Sequence, residues 1–540
     1  MSTSTTSLAR HSAVMASGSF VSRILGVVRQ SMIVTIFGTS LAGQAWSVAN
    51  TLPNTIYLLL AGGVLNAVLV PQITKAFHDH DGGQAFVDRL LTLALLGIGV
   101  VTLVCLPAAP LLVRLFSAGN WGHDTFALAV SFAYICLPAI FFYGLFTVLG
   151  QVLNAQERFA AFTWAPVLCN VVWIAGLGWF LRQFGRGTRA PGEFTPQMIW
   201  LLGGSLTVGV ALQALALLIP LYRSGFRYRP RFGFRGVGLG SASRVALWTF
   251  AALAVSQVGL IVQSQVLTST GTETGKLLYD SAFLLFMTPH GLITVSLVTA
   301  LFTSMSRAAA GKDDDAFRHN VRQGLSLTGI ATIPIMMGCL ILGTSLAALL
   351  FPRNSIETTN SIGHVMAAMM LGLPAFAFYY VAQRAFFAFE DAKTPFYLQI
   401  INTGIAAVIA IAAMLLPTAY RAIGVGLGQA LSNVVGAAIA LIWLSRRVQG
   451  LQMRSTIQTL ARVTVASLIA SVPTYLVFVA AQQLLRGRAT AAVALLIGVP
   501  LFVVLYVVLT RRMKVRQIDE ILNPVLRRLR GGRTRSGGSA

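Results

Sequence analysis

Residues 17–31 read SGSFVSRILGVVRQS, the middle of an apolar run that extends from about Ser12 to Gly38 and carries two arginines, Arg23 and Arg29. An arginine near the centre of a membrane helix costs at least ~2.5–3.5 kcal/mol on insertion scales, and no carboxylate lies within the run to offset it. At the helical period, Ser19, Ser22, Arg23, Gly26, Arg29 and Gln30 fall within one sector of about 120°. Phe20, Val21, Ile24, Leu25, Val27 and Val28 occupy the rest of the circumference. The two guanidiniums leave the backbone about 9 Å apart along the axis. Gly26 between them leaves room for a group to approach. Two readings stand: arginines that snorkel or bond to neighbouring carbonyls, or a helix lining a wet, cationic cavity that receives an anion.

The rest of the chain supplies the setting. With 56% apolar and only 10% charged residues, and a mean hydropathy of +0.74, it cannot be an ordinary soluble globule. Fourteen membrane-spanning helices are predicted, near 13–37, 45–70, 88–113, 126–152, 160–182, 198–222, 244–268, 278–304, 322–351, 361–389, 396–416, 422–445, 460–482 and 489–510. Of these, 361–389 is read as long enough to run beyond the bilayer, and the first is read as a retained helix rather than a signal peptide. The net charge of +24 sits in short loops and the C-terminal tail, a placement that argues against nucleic acid and for anionic membrane lipids as partners. Basic residues crowd the loops 223–244, 305–322 and 446–462 and the tail from Arg511, all on one side of an even-numbered bundle. The positive-inside rule then places both termini in the cytoplasm of a plasma (inner) membrane protein; Arg182, Arg186 and Arg189 are the exception. Cys105, Cys136, Cys169 and Cys339 each lie in an apolar run and read as packing thiols. Asp313–Asp315 and the HDHDGG segment at 78–83 read as solvated loops.

The chain repeats itself at an interval of about 233 residues. LPNTIYLLLAGGVLNAVLVPQITKAF from Leu52 is echoed by TPHGLITVSLVTALFTSMSRAA from Thr288, with Pro53 matching Pro289 and Lys75 matching Arg307. LNAQERF around Glu157 matches FFAFEDA around Glu390, and Ser22, Arg23 and Arg29 are mirrored by Ser256, Gln257 and Gln263. The expected fold is therefore an all-α polytopic membrane protein: two parallel-oriented six-helix bundles plus two extra C-terminal helices. The bundles are 1–222 and 244–445, joined by a basic cytoplasmic linker at 223–243. The additional helices occupy 446–510, and 511–540 forms a disordered basic tail. An even repeat gives both copies one orientation, hence a pseudo-twofold axis along the membrane normal and a central cavity that opens by rocking.

Two further charges fall inside predicted spans, Asp280 and Arg384. Counted with Arg23 and Arg29, positive exceeds negative by two. A cation exporter would place carboxylates in its cavity; this chain places guanidiniums, whose planar fork suits phosphate. A diphosphate matches the surplus. With the cell interior negative, moving two negative charges outward gains about 4–5 kcal/mol per 100 mV.

SRILGVVRQSMIVTIFG, followed by LPNTIYLLLAGGVLNAVLVPQI, resembles the opening of the MurJ (MviN) family of lipid II flippases, in the multidrug/oligosaccharidyl-lipid/polysaccharide exporter superfamily. AFFAFEDAKTPF is similar to that family's motif between the tenth and eleventh helices. The resemblance covers essentially residues 10–510. It implies that Arg23 and Arg29 bind the diphosphate of lipid II or a similar polyprenyl-diphosphate glycolipid in the central cavity. It also implies that the two extra helices shape a groove for the polyprenyl tail. Ser22, Gly26, Gln30, Gln257, Gln263, Asp280 and Arg384 are the candidate cavity-lining residues. The sequence departs from the family's pattern where Tyr57 and Leu284 stand for arginines and Gln44 for an acid, so the cationic cluster is thinner. No catalytic residue, resident metal or cofactor is expected. Coupling to Na+, with Asp391 as the nearest acid, or to the membrane potential is the candidate energy source, and cell-wall synthesis proteins are candidate partners. The expected activity is outward translocation of an undecaprenyl-diphosphate-linked peptidoglycan precursor by alternating access. The alternatives are a flippase for another lipid-linked oligosaccharide (O-antigen or teichoic-acid type), a cation-coupled drug exporter, or a lipid-linked glycosyltransferase.

Overall fold

The structure, a computed structural model, describes residues 2–60, 83–156, 158–232, 244–271, 275–515 and 517–518. The HDHDGG segment up to position 82, Lys75, Glu157, Arg235, Glu273 and nearly all of the C-terminal tail lie outside the described residues. Those described are helical: α1 (Ser2–Phe37), α2 (Leu41–Leu60), α3 (Gly83–Cys105), α4 (Ala109–Phe116), α5 (His123–Cys136), α6 (Ala139–Ala155), α7 (Phe159–Phe184), α8 (Pro196–Leu215), α9 (Leu218–Arg223) and α10 (Arg244–Thr268). The order continues with α11 (Lys276–Pro289), α12 (Val295–Ala310), α13 (Asp314–Leu350), α14 (Ile356–Met370), α15 (Leu373–Ala388), α16 (Lys393–Ala412), α17 (Thr418–Arg447), α18 (Arg454–Leu484) and α19 (Arg488–Arg512).

Among the described residues, twelve helical stretches are long and apolar enough to cross a membrane, or thirteen with one bent pair counted as a span. Every other expected span has a helical counterpart; the second, 45–70, is described only as far as Leu60, in α2. Span 361–389 is not one long helix but the bent pair, α14 and α15 meeting at 46°. The break falls at Leu371 and Gly372, just before Leu373-Pro374-Ala375, and α5 gives way to α6 at Leu137-Pro138-Ala139. A proline cannot donate the helical hydrogen bond and crowds the preceding turn, so the repeated tripeptide interrupts the corresponding helix in both halves. α13 is longer, 37 residues, because its polar first turns continue the helix ahead of the apolar part. There Asp313 accepts from the Ala316 N–H at 2.9 Å, and Asp315 pairs with Arg318 at 2.8 Å. The acidic triplet thus caps and opens a helix rather than forming a loop.

Contacts divide the chain into two compact units that do not follow the sequence halves. The first comprises Met1–Leu284, Leu350–Thr358 and Asp391–Gly428. Its core is aromatic: Trp46 stacks on Phe37 at 5.7 Å and meets Phe132 edge-on at 5.1 Å. Helices α7 and α8 pack closely through small residues; a methyl on Gly209 would lie 3.0 Å from the Cys169 carbonyl oxygen. All four cysteines are free. Arg189, one of the three arginines the charge rule leaves as exceptions, donates to the Phe184 carbonyl at the end of α7 and lies over the Phe180 ring at 5.8 Å. It serves that helix end by bonding a terminal carbonyl.

The second unit comprises Leu285–Leu349, Thr359–Glu390 and Gln429–Ala540. The two helices outside the duplication, α18 and α19, pack on α13 through Ile330, Ile333, Val463, Ala466, Ala470, Phe502 and Tyr506. The Tyr506 hydroxyl donates to the Ile330 carbonyl at 2.8 Å. Between α11 and α12 the chain takes a π-helical turn at His290–Thr294, directly after Pro289.

Candidate functional site

The polar face of α1 is hydrogen-bonded to α7 through Asn170. Asn170, in the middle of an otherwise apolar helix, donates from Nδ2 to the Ser22 carbonyl at 3.1 Å and to Ser22 Oγ at 3.2 Å. Its Oδ1 accepts from an Arg29 terminal nitrogen at 2.7 Å. Trp173, one helical turn on, places its ring 4.1 Å from the Arg29 guanidinium carbon, a cation–π contact. Arg29 is therefore positioned by neutral groups alone, and its Nε–H is buried without an acceptor. A buried donor left unsatisfied is costly and calls for a partner. Arg23 is half-buried and, among the described residues, has no hydrogen-bond or ion-pair partner. Gly26 between them is buried, yet a methyl added there would meet no atom within 4 Å. Two guanidiniums, one orphaned donor and open space on one helix face can receive an oxyanion and nothing cationic.

Gln30 donates from Nε2 to Ser281 Oγ on α11 at 2.9 Å. Asp280 is taken by other groups: the Lys276 ammonium donates to both its oxygens at 3.0 and 3.1 Å, and Ser47 Oγ donates to it. The carboxylate is thus neutralised by lysine, and the arginines keep their surplus. Gln257 donates to Ser256 Oγ at 3.2 Å while its Oε1 is buried without a partner; Gln263 is half-buried and partnered. Tyr57 bonds Thr147 Oγ1 at 2.6 Å and stacks on Tyr143 at 5.4 Å, so it packs within the first unit. Arg384 belongs to the second unit, where a terminal nitrogen donates to the Tyr380 hydroxyl at 2.8 Å. Asp391 accepts from the Thr394 N–H at 3.0 Å and hydroxyl at 2.8 Å, a cap at the start of α16.

Sequence reasoning missed Asn170, Trp173 and Lys276. Asn170 was visible as the lone amide in FAAFTWAPVLCNVVW; Lys276 hid at the edge of its span. It also missed a belt of hydrogen bonds between the halves, all within the first unit. Gln44 donates to Thr270 Oγ1 at 3.3 Å, Ser264 Oγ to the Phe116 carbonyl at 2.6 Å, and Trp121 Nε1 to the Thr268 carbonyl at 3.0 Å. Together with Ser47–Asp280 they latch α2, α4 and the 117–122 connection to α10 and α11.

Known proteins share this architecture. A structure described as "Lipid II flippase MurJ, inward closed conformation" superposes with a TM-score of 0.73 at 21% identity, covering 93% of this chain and 99% of that one. An inward-facing multidrug resistance MATE family transporter of the MOP superfamily gives 0.65 at 16% identity, covering 80% and 95%. At these identities the likeness is one of fold. Among curated relatives, "Probable lipid II flippase MurJ" of Vibrio cholerae is 25% identical over 84% of this chain and 86% of its own length. "Lipid II flippase MurJ" of Burkholderia cenocepacia is 27% identical over 69% and 72%. The family model described as "Lipid II flippase MurJ" matches residues 33–519, beginning just after the two arginines. A match that runs through all but the two ends makes this chain a member of the lipid II flippase MurJ family, whose members are membrane transporters rather than enzymes.

Proposed function

We propose that this protein carries lipid II from the cytoplasmic to the outer leaflet of the inner membrane by alternating access, with both termini in the cytoplasm. Arg23 and Arg29 hold the diphosphate, and Gly26 and Ser22 shape that surface. The two sequence halves, 1–222 and 244–445, rock about it. The observation that carries this reading is the Arg29 guanidinium, held by Asn170 and Trp173 with no carboxylate and with its Nε–H unanswered. Family membership and the names of the relatives support lipid II over another lipid-linked oligosaccharide. In this cycle the hydrogen-bonded belt closes the outer side and must part when the cargo leaves. The membrane potential supplies the drive and an ion such as Na+ is the alternative coupling.

The test is depletion of the protein followed by analysis of inner-leaflet glycolipids. Lipid II is expected to accumulate, and restoring Arg29→Ala or Arg23→Ala in its place, at normal membrane levels, is expected to leave the accumulation unrelieved. Accumulation of a glycolipid without peptidoglycan sugars would overturn the cargo. Full rescue by both variants would overturn the site.

A further inference from the structure

The second unit contains a cavity of about 710 Å³ bounded by the first turns of α13, the 448–453 connection, the start of α18 and the segment that follows α19. Among the described residues, every lining residue is polar or charged, and none is acidic. The cations are Arg322 and Arg454, with His319 beside them. Arg322 donates to neutral acceptors only, Gln452 Oε1 at 3.1 Å and the Leu451 carbonyl at 3.5 Å, so its charge is uncancelled. Arg454 is exposed and, among the described residues, makes no ion pair.

Two buried hydroxyls also line this space. Thr456 is 2% exposed and Ser326 5% exposed. Helical serines and threonines of this unit return their hydroxyls to a carbonyl of the preceding turn, as Thr328, Thr332 and Ser467 do. Among the described residues, Ser326 and Thr456 make no side-chain hydrogen bond, yet their hydroxyl oxygens are not fully enclosed. Their hydroxyls therefore open on the cavity. Thr456 stands in the first turn of α18, whose N-terminus has no side-chain cap, so unpaired backbone N–H groups of that turn join the donor set.

We propose that this cavity is a second anion site, which binds a phosphate-bearing ligand independently of the cargo arginines on α1. Two guanidiniums, two hydroxyls and a helix N-terminus form a donor set that, among the described residues, has no competing carboxylate. The cavity also lies where α13 and α18 pass from polar to apolar sequence. Ile457, next to Thr456, is 59% exposed, and Leu468, Ile469 and Val472 continue an exposed apolar face along α18. A phospholipid could thus seat its phosphate in the cavity and its acyl chains on that face; a soluble phosphate compound would use the donors alone. Either one cross-links α13, α18 and the segment bearing Gln517.

The experiment uses the full chain in nanodiscs of zwitterionic phosphatidylcholine. In one arm phosphatidylglycerol is incorporated, and in the other inorganic pyrophosphate is added to the aqueous phase. Retained ligand is read by native mass spectrometry and stability by thermal melting. The expected result is retention and a raised melting temperature in at least one arm, the responding arm identifying the source. Retention should fall at least tenfold in Arg454→Gln and in Thr456→Val, and persist in Arg23→Gln/Arg29→Gln and in the charge-matched control Arg446→Gln. Both cavity substitutions spare the Arg322 bonds to the 448–453 connection, and the thermal melt of each variant without ligand reports whether it folds. No retention in either arm overturns the proposal, as does equal loss in Arg446→Gln, or wild-type retention in both cavity variants. None of these outcomes bears on the α1 arginines, so the cargo reading stands or falls separately.

Discussion

Arg29 shows how a cation is held inside a membrane without being neutralised. Asn170 supplies one acceptor, Trp173 an aromatic face, and neither carries charge. Asn170→Asp adds a charge opposite Arg29 and removes the amide donor to Ser22. At 2.7 Å the new carboxylate would form a charge-assisted hydrogen bond, about twice as strong as a neutral one. Thermal melting reads the net of the stronger Arg29 bond and the lost Ser22 bonds, and the variant is expected to bind lipid II at least tenfold more weakly because the cationic surplus falls by one. Unchanged binding in that variant would remove Arg29 from the cargo site. The two arginines were legible in the sequence because charge is conspicuous in an apolar run. Their partners were not, because an asparagine and a tryptophan in a distant helix become partners only through tertiary packing.

At the scale of elements, hydropathy alone located thirteen of the fourteen spans that the described residues test, since the length needed to cross a bilayer is set by the solvent and not by tertiary contacts. The bends escaped it. A run such as LGLPAFAF keeps its apolar character through the break at Leu371 and Gly372. The latch between α2 and α11 escaped it too: Ser47 and Asp280 are 233 residues apart, and no local pattern joins them. Lys276 is 2% exposed within that latch and Asp280 is 33% exposed. Asp280→Asn leaves a buried ammonium without its anion and is expected to cost about 3 kcal/mol, the low end for a broken buried pair because Asp280 is partly solvated. Thermal melting in detergent measures it. The double replacement Lys276→Met/Asp280→Leu should recover most of the loss, and failure to do so would show that the pair is not what stabilises the latch.

At the scale of the whole molecule, the proposed drive rests on charge. The chain carries +24 overall, while the cargo contributes about two negative charges that must cross the bilayer. Carrying them outward against a negative interior gains roughly 4–5 kcal/mol per 100 mV. In proteoliposomes with an imposed potassium diffusion potential, reversing its sign is expected to shift the leaflet distribution of labelled lipid II more than tenfold. A distribution indifferent to the sign would assign the work to a coupled ion.

The indole beneath Arg29 has an optical consequence. A full positive charge fixed 4.1 Å from the Trp173 ring perturbs its excited state, and the ring is only 3% exposed, so water contributes little to its emission. A pyrophosphoryl group that draws the guanidinium away should therefore move the emission maximum. The chain has eight tryptophans, and the signal is the part of the spectral change abolished by Trp173→Phe. Cargo arrival would then be readable in unlabelled protein, in real time.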